Sequence, residues 1–148
     1  MSSERIDAKE KDYLYLAVSQ LPNAGQGLFV SIPIYKDEVI SLFKGEKLTA
    51  AEAARRAKKG EDAYFINCLD GSILDSMHTP CFAKYANDPA ASGPGIAKNS
   101  FKSNSDISLD DEDNICLIAT RNIKIGEEVF CNYGKKYWKN FHRLKATN

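Results

Sequence analysis

Residues 119–134 read ATRNIKIGEEVFCNYG, two β-rich runs joined by a glycine-containing turn. The first run begins upstream as NICLIATRNI at Asn114, and the second is EEVFCNYG. Both are rich in branched and aromatic residues, which favour strands. The segment IYKDEV at 34–39 repeats the order of an apolar residue, a turn and a strand start. With only two copies, this pattern indicates shared turn chemistry and not a repeat array.

Short β-rich runs also make up most of the first half of the chain. YLYLAVSQ at 13–20 and GLFVSI at 27–32 flank a loop that contains proline, asparagine and two glycines, which interrupt regular structure. EVISLFKGEKL at 38–48 is a third run. Further along, AYFINCL and SILDS flank Asp70-Gly71, a pair that suits a tight hairpin turn. The sequence therefore predicts a mainly β domain.

One helix interrupts these strands. AAEAARRAKK at 50–59 consists of good helix formers and is followed by Gly60. Thr49 can cap its first turn, and Glu52 can complete a capping box. We therefore expect a single helix here, on the solvent side of the domain.

Composition limits the possible functions. The 148 residues suit one domain, and 20 Lys+Arg balance 20 Asp+Glu. Zero net charge argues against nucleic acid as the main ligand, because phosphate-backbone binders cluster cations. The opening residues MSSERIDAKEKD lack the apolar core of a signal peptide, and no later apolar run approaches about 18 residues. We expect an intracellular protein, cytoplasmic or nuclear, that has no membrane contact.

The sequence lacks the motifs that several kinds of functional site require. The four cysteines, Cys68, Cys81, Cys116 and Cys131, form no CxxC, so we expect reduced thiols and no metal site. The loop at 25–27 lacks the third glycine and the following helix of a dinucleotide fingerprint. The acidic stretch at 106–113 lacks the turn glycine and closing glutamate of a calcium loop, so it is interpreted as a solvated hairpin tip. Two histidines and no G-x-S-x-G elbow make hydrolase chemistry improbable.

Over residues 80–98 the composition changes and becomes rich in proline, glycine, alanine and asparagine. A compact domain seldom keeps so long an irregular stretch unless it is functional or mobile. We therefore expect functional residues in or beside it.

Three segments, taken in order, form a recognisable set of motifs. NAGQGLF at 23–29 is similar to a G-x-G-[LVI]-F loop. AKYANDP at 83–89, followed by NSF at 99–101, resembles A-R-F-I-N-H-S with its downstream asparagine. Residues 119–134 are similar to A-x-R-x-I-x-x-G-E-E-[LV]-x-x-[DN]-Y-G. Together the motifs, spanning about residues 13–138, resemble those of the SET-domain protein lysine methyltransferases.

The resemblance implies a fold, a cofactor and a substrate. The fold is several short curved sheets with one inserted helix, in which the last segment threads a loop beside the Asn87 strand as a C-terminal pseudoknot. A single SET domain then covers 1–148, with a core at about 13–138 and a basic aromatic tail at 135–148. S-adenosylmethionine binds on one face, and a protein or peptide lysine enters a narrow channel from the other.

The resemblance also implies which residues form the site. It implies that the site needs no metal. Tyr133, in the closing Asn-Tyr-Gly, is the catalytic residue. The implied cofactor-binding residues are Gly25, Gln26, Gly27, Asn87, Tyr133 and Trp138. The implied substrate-channel residues are Tyr64, Tyr85 and Cys131.

Methyl transfer from a sulfonium requires a neutral amine. At pH 7 only about one lysine in 2,500 is neutral at its ordinary pKa. A nearby sulfonium and a dry channel both lower that pKa. Cys131 stands where the family often has Tyr or Phe, a choice that governs how many methyl groups are added. The smaller cysteine implies room for di- or trimethyllysine.

Each assignment has alternatives. The glycines suit ordinary turns, the aromatic residues suit a core, and Cys131 suits a packed interior. Asp88-Pro89 replace the family's His-Ser, and Lys84 replaces its usual Arg. These departures leave open a catalytically inactive SET-like module that binds cofactor or peptide. Methylation of a small amine is a third possibility.

Overall fold

The computed structural model describes residues 4–68, 70–89 and 101–132. Within these ranges the strands are short, and one helix is longer than about a turn. The strands are β1 Glu4–Arg5, β2 Leu14–Val18, β3 Gln26–Val30, β4 Glu38–Leu42, β5 Glu46–Leu48, β6 Phe65–Asn67, β7 Ile73–Asp75, β8 Ser105–Leu109, β9 Ile115–Ala119, β10 Glu128–Val129 and β11 Cys131–Asn132. The helices are α1 Glu10–Tyr13, α2 Ala50–Lys58 and a 3₁₀ turn at Ala83–Tyr85.

The chain folds as two compact units. The described residues of Met1–Phe43 and Phe82–Asn132 form the first unit. It contains a five-stranded sheet in the order β1-β4-β9-β8-β11 and a three-stranded sheet in the order β10-β3-β2. The described residues of Lys44–Cys81 belong to the second unit, which holds α2 and the sheet β5-β7-β6. The predicted mainly β architecture is confirmed.

Helix α2 forms as the sequence predicts. The Thr49 side chain accepts the Glu52 N–H at 3.2 Å, and the Glu52 carboxylate accepts the Thr49 N–H at 3.1 Å. This capping box satisfies two N–H groups that the first turn would otherwise leave open. On the buried side, Ala53 packs with the apolar residues Leu48, Phe65 and Ile73.

The strands around α2 are partly as predicted. β6 and β7 form the expected antiparallel hairpin across Asp70-Gly71. The Asp70 carboxylate accepts the Ser72 N–H at 3.0 Å and so fixes this turn. The run at 38–48 differs from the prediction, since it divides into β4 and β5, which belong to different sheets.

The two similar turns in the sequence fold alike in the first unit. The Glu38 carboxylate accepts the Tyr35 N–H at 2.6 Å, and the Glu127 carboxylate accepts the Lys124 N–H at 2.8 Å. The residue before each glutamate has a positive φ, +74° in one turn and +82° in the other. The apolar residues that open the two turns form a bridge with each other. The interpretation as shared turn chemistry is confirmed.

The acidic stretch at 106–113 is only partly a hairpin tip. Residues 106–109 belong to β8, which pairs with β9. The tip begins at Asp110, which is 6% exposed and accepts the N–H groups of Glu112 and Asn114, both at 2.9 Å. The hairpin prediction therefore holds for residues 110–113 and is wrong for the first half of the stretch.

The closing segment, residues 128–132, connects the two sheets of the first unit. β10 pairs with β3, and two residues later β11 pairs in parallel with β8. Between them, Phe130 forms a parallel bridge with Asn87. The segment therefore lies beside Asn87, as the resemblance implies.

The irregular stretch at 80–98 contains the 3₁₀ turn Ala83–Tyr85, which the composition did not predict. Its residues 90–98 lie outside the described residues, as do residues 133–148, which include the basic aromatic tail. In the ranges given above, no helix has both the length and the apolar character that a membrane span requires.

Candidate active site

Three of the predicted cofactor residues lie at the end of the loop between β2 and β3 and at the start of β3. Gly25 has φ +73°, a left-handed conformation that glycine adopts without steric cost. The loop closes on itself, because the Ser19 N–H donates to the Gly25 carbonyl at 2.8 Å. Gly25 and Gln26 are exposed, whereas Gly27 is buried in β3. The chain thus presents accessible backbone at Gly25, which has no side chain to cover it.

Asn87 connects this loop to the closing segment. Its side-chain amide donates to the Gln26 carbonyl at 3.1 Å. Its own backbone carbonyl accepts the Cys131 N–H at 2.9 Å. Three residues that are far apart in the sequence, and that were predicted to bind cofactor or substrate, therefore meet at one point.

Cys131 is completely buried at this junction. It pairs with Ser105 across β11 and β8, and the carboxylates of Asp106 and Asp88 lie close enough to act on it. Burial, reinforced by these negative charges, raises the pKa of the Cys131 thiol far above its ordinary value, although a hydrogen bond with Ser105 opposes the shift. The thiol is therefore neutral at physiological pH and is not a nucleophile.

Thiol labelling of the folded protein is expected to modify Cys68 first. All four cysteines are free, and Cys68 is half-buried whereas the other three are buried. Because modification requires access and thiolate, we expect Cys131 to react only after unfolding. A time course with iodoacetamide, read by peptide mass spectrometry with and without urea, measures this. Cys68→Ser is the control and should remove the fast phase. Rapid labelling of Cys131 without denaturant would contradict the burial described here.

The remaining predicted residues are not all placed in one site. Tyr85 is half-buried in the 3₁₀ turn, where the Lys84 ammonium lies 5.4 Å from its ring centroid. Tyr64 belongs to the second unit, where its carbonyl accepts the Ser76 N–H at 3.4 Å. Tyr133 and Trp138 lie outside the described residues. Their roles stay predictions.

Asn104 has a structural role that the sequence did not predict. It is fully buried, and its side chain donates to the Glu128 carbonyl at 2.9 Å and accepts the Phe130 N–H at 2.8 Å. It therefore holds the closing segment in place. The motif had indicated Asn99 as the downstream asparagine, and that residue lies outside the described ranges.

Two carboxylates lie near the Cys131 thiol. Asp106 is exposed and Asp88 is half-buried, and both act on the Cys131 thiol. Such an arrangement favours a cationic ligand over an anionic one. Within the described part of the chain, no three His, Cys, Asp or Glu side chains cluster as metal ligands would.

This chain is similar to known proteins of one family. A family model of the SET domain matches residues 25–134. The histone-lysine N-methyltransferase mes-2 of Caenorhabditis elegans is 29% identical over 113 residues, which cover 74% of this chain and 14% of mes-2.

Solved structures agree with the sequence match. Polycomb Repressive Complex 2 of Chaetomium thermophilum bound to GSK126 superposes with a TM-score of 0.70 at 25% identity, covering 90% of this chain and 17% of the other. A ctPRC2 structure in an autoinhibited conformation bound to S-adenosylmethionine gives a TM-score of 0.69 at 25% identity, over 92% and 17% of the two chains. This chain spans less than a fifth of these relatives. Because the family model covers well over half of it, the chain belongs to the SET-domain family.

Proposed function

We propose that this protein transfers a methyl group from S-adenosylmethionine to a lysine side chain of a protein. The observation that carries the proposal is the meeting of three motifs at Asn87. Its amide contacts the glycine loop, and its carbonyl contacts the closing segment. A ctPRC2 structure with the same fold holds S-adenosylmethionine, which supports the choice of cofactor.

The described residues fit this cofactor. Gly25 is exposed, and nothing lies within 4 Å of the position that a Cβ would take there. A ligand can therefore approach the loop backbone at Gly25. The carboxylates of Asp88 and Asp106 favour a cation, and the cofactor carries a sulfonium. We propose that Gly25, Gln26, Gly27 and Asn87 hold it, together with Tyr133 and with Trp138 stacked on the adenine.

S-adenosylmethionine supplies a methyl group on a cationic sulfur. The chain must then align a neutral lysine amine with that methyl group and keep water away. We propose that Tyr85 and Cys131 line the lysine channel, where exclusion of water lowers the lysine pKa. We further propose that the Tyr133 hydroxyl acts at the reacting centre. Positioning of this kind accounts for several kcal/mol of barrier reduction.

A protein lysine is the proposed acceptor. The relative mes-2 is a histone-lysine N-methyltransferase, which supports a protein substrate over a small amine. We propose an intracellular site of action, in the nucleus or the cytoplasm, because this relative acts on a histone.

Calorimetric titration with S-adenosylmethionine tests the proposal most directly. We expect saturable binding by the wild-type chain. Asn87→Ala should weaken it by about 1–3 kcal/mol, because the Gln26 carbonyl loses its partner and the loop loses a tether. Asn122→Ala is the matched control, since the exposed side chain of Asn122 accepts only the Lys36 N–H. Wild-type protein that binds neither the cofactor nor its demethylated product at millimolar concentration would refute the proposal.

The number of methyl groups added provides a second test. A tyrosine hydroxyl at position 131 could hold a water in the space that further methyl groups need, whereas a thiol is a weak hydrogen-bonding group. We therefore expect di- or trimethyllysine from the wild-type enzyme and a shift toward monomethyllysine from Cys131→Tyr. Mass spectrometry of a methylated protein, after long incubation, measures the products. Monomethyl product alone from the wild type would contradict the expectation.

A further inference from the structure

Glu128 carries a fully buried carboxylate at the start of the closing segment. Its Oε2 accepts the Ser19 hydroxyl at 2.7 Å, and its Oε1 accepts the Gln20 N–H at 2.8 Å. A carboxylate that is removed from water is costly unless hydrogen bonds replace its hydration. Both oxygens of Glu128 are therefore committed to the loop between β2 and β3.

Ser19 extends this anchor through the loop. Its hydroxyl oxygen also accepts the Leu21 N–H at 3.1 Å. Its backbone N–H donates to the Gly25 carbonyl at 2.8 Å. The Glu128 carboxylate thus fixes the residue that closes the loop on Gly25.

Gly27 shows how closely Glu128 approaches the loop. A Cβ on Gly27 would lie 2.8 Å from the Glu128 carboxyl carbon and 3.3 Å from the Ser19 Cα. The first distance is shorter than real Cβ contacts permit, and two hydrogen bonds keep the carboxylate from moving aside. Only glycine fits at position 27 while Glu128 holds the loop.

The backbone of Glu128 is fixed as well. Its carbonyl accepts the Asn104 side-chain amide at 2.9 Å, and β10 pairs with β3 at Phe29. The carboxylate therefore extends from a rigid strand that leads into Cys131.

We propose that Glu128 is a positioning residue, which sets the backbone of the 19–25 loop in the conformation that binds S-adenosylmethionine. This inference rests on the proposed function, because it assigns that loop to the cofactor. Glu128 itself is enclosed by Ser19, Gln20 and Gly27, so it acts on the cofactor through the loop and not by contact.

Glu128→Gln and Ser19→Ala test the inference by cofactor titration. The glutamine keeps the length of the side chain, so the variant is expected to fold, whereas its amide cannot accept from both loop donors. We expect either change to raise the Kd for S-adenosylmethionine about tenfold. Because both remove the same contact, the double variant should raise it by far less than the product of the two single effects. At saturating cofactor, kcat should change little.

Asp110→Asn is the matched control. Asp110 is also a buried carboxylate in the first unit that accepts backbone N–H groups, but it fixes the β8–β9 turn. Its variant should lower the melting temperature and leave the cofactor Kd unchanged. A purely structural role of Glu128 would produce the same result in Glu128→Gln, and that result would overturn the inference.

Hydrogen exchange without cofactor separates the two proposals. In Glu128→Gln, the amides of Gln20 and Leu21 should exchange faster than in the wild type, and those of the β8–β9 turn should not. Unchanged loop exchange would overturn the inference even if the cofactor binds. Wild-type protein that binds no cofactor would overturn the proposed function and with it the role of Glu128, whatever the exchange pattern.

Discussion

Tyr133→Phe is expected to lower kcat for methyl transfer by about 100-fold or more. The proposed role of Tyr133 rests on its hydroxyl, and a single polar group placed at a reacting centre commonly contributes about 10²–10³ in rate. Phenylalanine keeps the ring and its packing, so the fold and the Kd for S-adenosylmethionine should stay nearly the same. Transfer of labelled methyl groups to lysine peptides, at saturating cofactor, measures the change.

Tyr35→Phe is the control for that experiment. Tyr35 is 58% exposed at a turn of the first unit, and removal of its hydroxyl should leave kcat unchanged. If purified Tyr133→Phe keeps the wild-type kcat, Tyr133 is an ordinary core tyrosine and its assignment is wrong. If the wild type binds S-adenosylmethionine and methylates no protein, the alternative of an inactive SET-like module replaces the enzyme.

Local chemistry made several elements predictable. The capping box of α2 lies within the four residues from Thr49 to Glu52, and the hairpin turn at Asp70-Gly71 is equally local. The two glutamate turns repeat one short pattern. In each case the residues that make the hydrogen bonds are close neighbours in the sequence, so spacing alone reveals them.

Other elements could not be predicted, because the strands with which they pair are distant in the sequence. The sequence did not predict β8, because the acidic residues of 106–113 obscure the alternation of apolar and polar residues at 106–109. These residues form a strand by pairing with β9. The run at 38–48 was read as continuous because composition does not show which sheet each half joins.

In the candidate site too, local motifs were predictable from the sequence and contacts between distant residues were not. Motif order identified the family, and in the structure two of the predicted site residues, Gln26 and Cys131, are hydrogen-bonded to a third, Asn87. The contact between Ser19 and Glu128 joins residues 109 positions apart, and no spacing rule connects a serine before a loop with a glutamate in a turn motif. Asn104 was overlooked for the same reason, since its partners are 24 and 26 positions away.

Asn104→Ala is expected to lower the free energy of unfolding by about 2–5 kcal/mol. The change leaves the Phe130 N–H and the Glu128 carbonyl without their side-chain partner in a buried position, and each unsatisfied group costs about 1–3 kcal/mol. Domains of this size are stable by only about 5–15 kcal/mol. The loss should therefore appear as a marked fall in the urea midpoint, measured by circular dichroism.

Two further variants distinguish hydrogen bonding from space filling at position 104. Asn104→Asp has the same shape but replaces the donor that faces the Glu128 carbonyl with an oxygen, so it should be destabilised at least as strongly as the alanine variant. Asn122→Ala is the control, because its exposed side chain accepts only the Lys36 N–H, and the loss of this hydrogen bond should cost no more than about 1 kcal/mol. An aspartate variant as stable as the wild type would show that Asn104 only fills space. The closing segment would then be held by strand pairing alone, and Asn104→Ala should leave the exchange of the Phe130 amide unchanged.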